Sequence, residues 1–186
     1  GENIYYRGTT TNEVPVTFKI SFKLDGQSVS ADELAGKSGA LEMTFDYINN
    51  CKKTVEIDGK NEEMYVPFLM ISGMILDNDN FKNITVDNGK VIDDGDKTVV
   101  AGFALPGLSD NLALSDDTDI DIPSSVTIKA DVTDFSLATT LTVATNDVFN
   151  KVSIDDDDTV EEIEDKLDTL DSSMKQIVDG ASELHG

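Results

Sequence analysis

The chain has few of the residues on which catalysis and metal binding most often depend. It contains no tryptophan, and its only histidine, His185, is the second-to-last of 186 residues. Because no other side chain supplies an imidazole, Ser-His-Asp and Cys-His catalytic groups and histidine-zinc sites are excluded from the remainder of the chain. The sequence also has no Asp-Thr-Gly or Asp-Ser-Gly turn of the aspartic proteases and no glycine-rich phosphate loop after a predicted strand. We therefore expect a protein that is not an enzyme.

Cysteine, basic residues and long apolar runs are scarce too. Cys51 is alone, so the chain forms no internal disulfide, and we expect its side chain to be a small buried apolar group. Only 14 basic residues stand against 37 acidic ones, and the net charge of -23 argues against nucleic acids and anionic lipid surfaces as partners. The longest apolar run, residues 66–76, is interrupted by Pro67 and is shorter than the roughly 20 residues that cross a bilayer. We expect attachment to a membrane only through parts of a longer protein that lie outside this sequence.

Alternation of apolar and polar side chains predicts strands in the first 152 residues. Apolar residues recur at every second position from Val14 to Leu24 and again from Leu41 to Tyr47, which is typical of a strand that is wet on one face and buried on the other. Further strands are predicted at residues 53–57, 64–76 with a bulge at Gly73, 84–86, 91–92, 98–104, 126–132 and 135–143. With turn residues between them and almost no helical periodicity before Thr159, they predict a mainly β fold, an antiparallel β-sandwich head over residues 1–152.

Short polar motifs between these strands predict a helical turn and two hairpins. Ser30 and Glu33 have the spacing of a capping box, in which each side chain satisfies a free backbone amide, and Gly36 is suited to the left-handed conformation that ends a helix. Asn88-Gly89 and Asp93-Asp94-Gly95 each lie between two apolar segments. Both are therefore predicted to form tight hairpin turns.

The end of the chain carries a helical pattern. Four consecutive aspartates, residues 155–158, end segment 153–158, which we interpret as an acidic hinge, and Thr159 with Glu162 forms a second capping box. Apolar residues then recur at alternating spacings of three and four, and this heptad seam consists of Val160, Ile163, Leu167, Leu170, Met174, Ile177, Ala181 and Leu184. A helix with such a seam needs a partner. Residues 159–186 are therefore predicted to begin a coiled-coil stalk, which packs against other protein chains or against its own continuation in a longer protein.

Aspartate-rich segments raise the question of calcium. Loop carboxylates can converge on Ca²⁺ in β-sandwich domains, and the candidates here are Asp77, Asp79, Asp117, Asp119 and Asp121. The segment after Asp77 lacks the glycine at the sixth position and the glutamate at the twelfth position of an EF-hand loop. We expect these acids to be solvated and no cofactor to be bound. The alternative interpretation is a calcium-dependent carbohydrate-binding module.

Five segments of the chain resemble a known family. Ile177-x-x-Gly180, followed one heptad later by Leu184, is similar to the opening of the Leu-x-x-Gly heptad repeats in the phage-infection-protein (YhgE/Pip-type) relatives, with isoleucine where the repeat usually has leucine. These are large membrane-anchored surface proteins of Gram-positive bacteria. In the head, the segments that resemble their extracellular regions are residues 32–39, 66–68, 104–108 and 131–135. The resemblance covers nearly the whole chain.

The resemblance implies an architecture and a location. Proteins of this type have an ectodomain between transmembrane segments, with a β-rich head and a long helical repeat, and are described as phage receptors or linked to export and surface adhesion. The family has no catalytic residues to transfer to this chain. The expected function is accordingly that of a non-enzymatic spacer and contact surface on the extracellular face of a Gram-positive cell membrane, with a phage or host surface protein as partner.

Overall fold

A computed structural model describes residues 13–112, 122–136 and 140–146. This part of the chain is mainly β, and all its strands pair antiparallel. The strands are β1 (Val16–Leu24), β2 (Gln27–Val29), β3 (Gly39–Asn49), β4 (Lys52–Ile57), β5 (Lys60–Tyr65), β6 (Leu69–Asp77), β7 (Phe81–Val86), β8 (Gly89–Asp93), β9 (Lys97–Ala104), β10 (Ser125–Val132) and β11 (Thr140–Thr145). The helices are α1 (Ala31–Leu34) and α2 (Leu108–Asn111). Neither of these short helices could span a membrane.

The strands form two large sheets and a separate hairpin. The five-stranded sheet has the order β2-β1-β3-β10-β7, and the four-stranded sheet has the order β11-β6-β9-β8. β4 and β5 pair only with each other, so the β4–β5 hairpin belongs to neither large sheet.

One hydrophobic core joins the two large sheets. Met43 and Phe45 of β3 and Ile128 of β10 are buried in the same cluster as Met74 of β6 and Val100 of β9. These residues lie at alternate positions of their strands, so each large sheet has one face turned to this core. Burial of a large apolar side chain contributes about 1.5–3 kcal/mol, which makes the shared core the main source of stability.

Several predictions from the sequence are confirmed. The mainly β, antiparallel fold is present, and the first two alternating segments form β1 and β3. Ser30 is the N-cap of α1, with both hydrogen bonds of the capping box to Glu33. Gly36 has the left-handed φ of +72° that a helix end requires.

Three predicted strands or turns are wrong. Residues 64–76 are not one strand, because the chain leaves β5 at Tyr65 and enters β6 only at Leu69, and Gly73 lies in regular register with no bulge. The predicted hairpin at Asn88-Gly89 is a crossing between sheets, since β7 pairs with β10 whereas β8 pairs with β9. Phe135 is not in a strand.

Phe135 is held outside the strands by contacts on both sides of its backbone. Its amide donates to the Lys37 carbonyl at 2.8 Å, and its own carbonyl accepts from the Gly36 amide at 2.9 Å. Its ring packs edge-on against the rings of Phe22 and Phe81, with centroids 6.3 and 5.9 Å away. These contacts place Phe135 in the core, where it anchors the segment after β10. β11 begins at Thr140.

The predicted hinge at 153–158 and the heptad segment at 159–186 lie outside the described residues. Their interpretation, including the seam that begins at Val160, stays a prediction.

Gly102 lets the two sheets approach each other. It faces the core from β9, and a Cβ added there would overlap a methyl group of Val126 on β10. Replacing Gly102 with alanine should therefore overpack the core and lower the free energy of unfolding by about 1–3 kcal/mol, measured by urea denaturation. The double variant Gly102→Ala/Val126→Ala should lose less than the sum of the two single variants. Additive losses would show that the two positions do not touch.

Candidate functional site

The first aspartate-rich loop uses its acids to hold its own shape. The Asp79 amide donates to Asp77 Oδ1 at 2.9 Å, and the Asn78 side-chain amide donates to Asp93 Oδ1 at 2.7 Å. Asp93 also accepts from the Gly95 amide at 2.8 Å, and these hydrogen bonds, that of the Gly95 amide first, lower the pKa of its carboxyl. Asp77 therefore shapes its own loop, whereas Asp93 joins the β6–β7 and β8–β9 connections.

No cluster of three or more His, Cys, Asp or Glu side chains that could hold a metal ion occurs in residues 13–112, 122–136 and 140–146. Of the calcium candidates, Asp77 and Asp79 lie in the loop just described. Asp117, Asp119 and Asp121 lie outside the described residues.

A buried line of hydroxyl groups connects the two large sheets. Tyr47 of β3 donates to Ser72 Oγ of β6 at 2.6 Å, and Ser72 Oγ lies 2.7 Å from Thr142 Oγ1 of β11. Burial raises the pKa of Tyr47 to about 12. Both partners of Ser72 are hydroxyls, which do not act as general bases at neutral pH, so this arrangement is a structural link and does not activate a nucleophile.

The β4–β5 hairpin is the most exposed element of the described chain. Every residue of β4 is exposed, and Asp58-Gly59 turns the chain with positive φ at both positions, which matches the twist of a two-stranded ribbon. Val55 and Ile57 lie on one face, 37% and 43% exposed, and the register adds half-buried Met64 to that face. The hairpin therefore presents an apolar stripe among charged residues.

The base of the hairpin is fixed by side chains from distant parts of the chain. Asn111 of α2 accepts from the Tyr65 amide and donates to the Tyr65 carbonyl, both at 2.8 Å, and so replaces a neighbouring strand. Lys52 Nζ lies 4.5 Å from the centroid of the Tyr65 ring, a cation–π distance. A Cβ at Gly107 would lie 2.7 Å from the same ring, so the loop before α2 packs directly on it. The hairpin is thus held firmly at its base.

Asn49 connects this base to the core. Its side-chain amide donates to the Val66 carbonyl at 2.8 Å and to the Pro106 carbonyl at 3.0 Å, and its Oδ1 accepts from the Cys51 amide at 3.0 Å. It is buried, so these three hydrogen bonds compensate for removing the amide from water. Cys51 itself is half-buried beside it.

Four head segments singled out in the sequence, residues 32–39, 66–68, 104–108 and 131–135, meet in pairs. Segments 66–68 and 104–108 come together at Asn49, as just described. Segments 32–39 and 131–135 also meet, because the Asp134 amide donates to Ser38 Oγ at 3.1 Å next to the backbone bonds of Phe135. The first pair supports the hairpin, and the second closes the end of the core beside α1.

Sequence reasoning missed the residues at the hairpin base. Asn49 had a usable signal, because it continues the alternation from Leu41 onto the buried face of β3, where a polar side chain must find partners. Tyr65 and Asn111 are 46 positions apart and had no local signal. Phe103 and Leu108 pack in a second small apolar cluster with Leu69 and Leu105.

Comparison with protein-family models, with curated proteins and with solved structures finds no match to this chain.

The hydroxyl line predicts a pH-dependent stability. The pKa of Tyr47 is about 10.0 in the unfolded chain and about 12 in the folded protein. The neutral Tyr47 side chain therefore contributes fully to the free energy of unfolding below about pH 10, and this contribution is lost as the pH rises towards 12. In Tyr47→Phe the decrease in stability between pH 10 and pH 12 that is due to Tyr47 should disappear. At pH 7 the variant should be about 1 kcal/mol less stable than the parent, because the hydrogen bond to Ser72 is gone. Urea denaturation of both proteins across this pH range measures the difference. Parallel pH profiles would contradict the role of Tyr47.

Proposed function

We propose that this chain is a non-enzymatic extracellular domain of a bacterial cell-surface membrane protein of the phage-infection-protein type. Its β-sandwich head serves as a contact surface for a phage or a host surface protein, and the heptad segment after it begins a spacer that carries the head away from the membrane.

The β4–β5 hairpin is the observation that carries this proposal. Its two strands lie outside both large sheets, yet its base is fixed by Asn111, Gly107 and Asn49. An isolated two-stranded hairpin is only marginally stable in water, so such support holds an exposed element in one place. A positioned apolar stripe surrounded by charges has the composition of a protein contact, with an apolar centre and a polar rim.

The resemblance and the heptad seam support the location and the spacer role. Ile177-x-x-Gly180 has the pattern of a Leu-x-x-Gly heptad repeat, and the spacing of Ile177, Ala181 and Leu184 is suited to helix–helix packing. The strongly acidic composition fits a highly hydrated surface that repels anionic lipids.

Location and hairpin exposure can be tested on intact Gram-positive cells that produce the full-length protein. A cysteine at Glu62 of the hairpin, in a Cys51→Ala background, should react with a membrane-impermeant maleimide before lysis. A cysteine at the buried Ser72 should react only after unfolding. Labelling of the hairpin only after lysis would overturn the extracellular location.

The contact role is tested with variants on the two faces of the hairpin. Ile57→Asp places a charge on the apolar stripe, and Thr54→Asp places the same charge on the opposite face. Both should fold normally because both positions are exposed. Ile57→Asp should reduce phage adsorption or cell–cell adhesion while Thr54→Asp retains it. Equal adsorption and adhesion in both variants and the parent would exclude the hairpin as the contact.

The alternative, a calcium-dependent carbohydrate-binding module, makes a different prediction. We expect calcium to leave the melting temperature almost unchanged, because no acidic cluster in the sequence has the ligand spacing that specifies a calcium site. A ligand that binds only the folded state would raise that temperature by mass action. A saturable rise that sodium does not reproduce, and that Asp77→Ala or Asp119→Ala abolishes, would favour the calcium-dependent module.

A further inference from the structure

We propose that residues 159–174 dock as a helix on the outer face of the four-stranded sheet, while residues 175–186 continue beyond it as the beginning of the stalk. The occupant of this face is thus a segment of the same chain. The inference goes beyond the proposed function and does not depend on the cellular location.

The outer face of the four-stranded sheet is apolar. Opposite the core, the pairing registers place a continuous set of apolar residues side by side across all four strands, namely Leu69, Ile71, Ile75, Ile92, Val99, Phe103, Leu141 and Val143. Leu141 and Val143 of β11 are 66% and 45% exposed. A contiguous apolar surface of this kind is uncommon on a soluble monomer and marks a contact.

The outer face of the five-stranded sheet, in contrast to that of the four-stranded sheet, is polar. There Lys23 Nζ lies 2.6 Å and Lys129 Nζ 3.6 Å from the carboxylate of Glu42, and the hydroxyls of Thr44 and Thr127 are 3.3 Å apart. This is the polar face expected of an antiparallel sheet that meets water on one side. The four-stranded sheet is apolar on both faces, which is typical of a sheet between two layers.

Part of the apolar face is already covered. Leu105, Leu108 and Ile122 pack over the end that contains Leu69 and Phe103. Beyond them, Ile75 and Val99 are half-buried and Leu141 and Val143 of β11 are exposed within the described residues.

The C-terminal segment has the length and the attachment point to supply that cover. It follows β11, which is the edge strand of this sheet. Residues 147–158 can span up to ~40 Å, whereas the four strands are about 15 Å across between their outer members. A helix over residues 160–174 is about 22 Å long, comparable with the ~30 Å of the nine-residue strand β6.

The chemistry of the two surfaces also matches. Five seam residues fall within the docked part, Val160, Ile163, Leu167, Leu170 and Met174. The strand residues on the outer face include only three charged ones, Asp77, Lys90 and Lys97.

Two other segments fit less well. Residues 113–121 contain four aspartates and few apolar side chains, and they join α2 to the chain before β10 at the end that is already covered. Residues 1–12 lead into β1, which belongs to the other sheet.

The absence of tryptophan allows a direct test with the full chain. Leu167→Trp places a single indole on the seam, and Asp168→Trp places one beside it, off the seam. Docking predicts a blue-shifted emission and protection from acrylamide for the first variant but not for the second, at protein concentrations where sedimentation shows a monomer.

A second substitution identifies the surface that protects the indole. Adding Val143→Asp or Leu141→Asp, both at exposed positions of β11, should remove the protection, whereas Thr17→Asp on the outer face of the other sheet should leave it intact. Circular dichroism checks that each variant folds. An unprotected indole in the monomer would overturn the proposal. So would protection that appears only with oligomerisation and survives both β11 substitutions, because that is the result of a coiled coil between chains.

Discussion

Burial of the inner faces of the two large sheets in one core is the constraint on which the rest of the head depends. β3 and β10 contribute Phe45 and Ile128 from one sheet, and β6 and β9 contribute Met74 and Val100 from the other. Gly102 allows the close approach, and the line from Tyr47 through Ser72 satisfies the buried hydroxyls at the interface. Neither sheet would keep its apolar face out of water without the other, so both are expected to unfold together.

The positions of the exposed elements follow from this core. Asn49 ends the buried face of β3 and connects it through hydrogen bonds to the strand and the loop that hold the hairpin. At the other end, Phe135 anchors the segment after β10 against α1 and the core. The position of the hairpin's apolar stripe is therefore set by residues far from it in sequence.

Local sequence patterns predicted local structure correctly, but they failed where contacts with residues distant in sequence determine the structure. The alternation in β1 and β3 and the capping box at Ser30 depend on neighbouring residues, so they could be read from the sequence. Asn88-Gly89 could not, because Asn88 has the φ of 50° that suits a tight hairpin although the chain here passes from one sheet to the other. Gly89 is required for another reason, since a Cβ there would overlap the backbone of Ala101 on β9. For the candidate site, continued alternation pointed to Asn49, while the pairing of Tyr65 with Asn111 depends on tertiary contact alone.

Native-state hydrogen exchange tests the shared core most directly. If the two large sheets depend on each other, the slowest amides of β3 in one sheet and of β6 in the other should exchange with the same free energy, equal to that of global unfolding. The amides of the β4–β5 hairpin should exchange at lower free energy, because its strands pair only with each other. Exchange of the four-stranded sheet at a clearly lower free energy than the five-stranded sheet would contradict the account, since it would show that one sheet opens while the other stays folded.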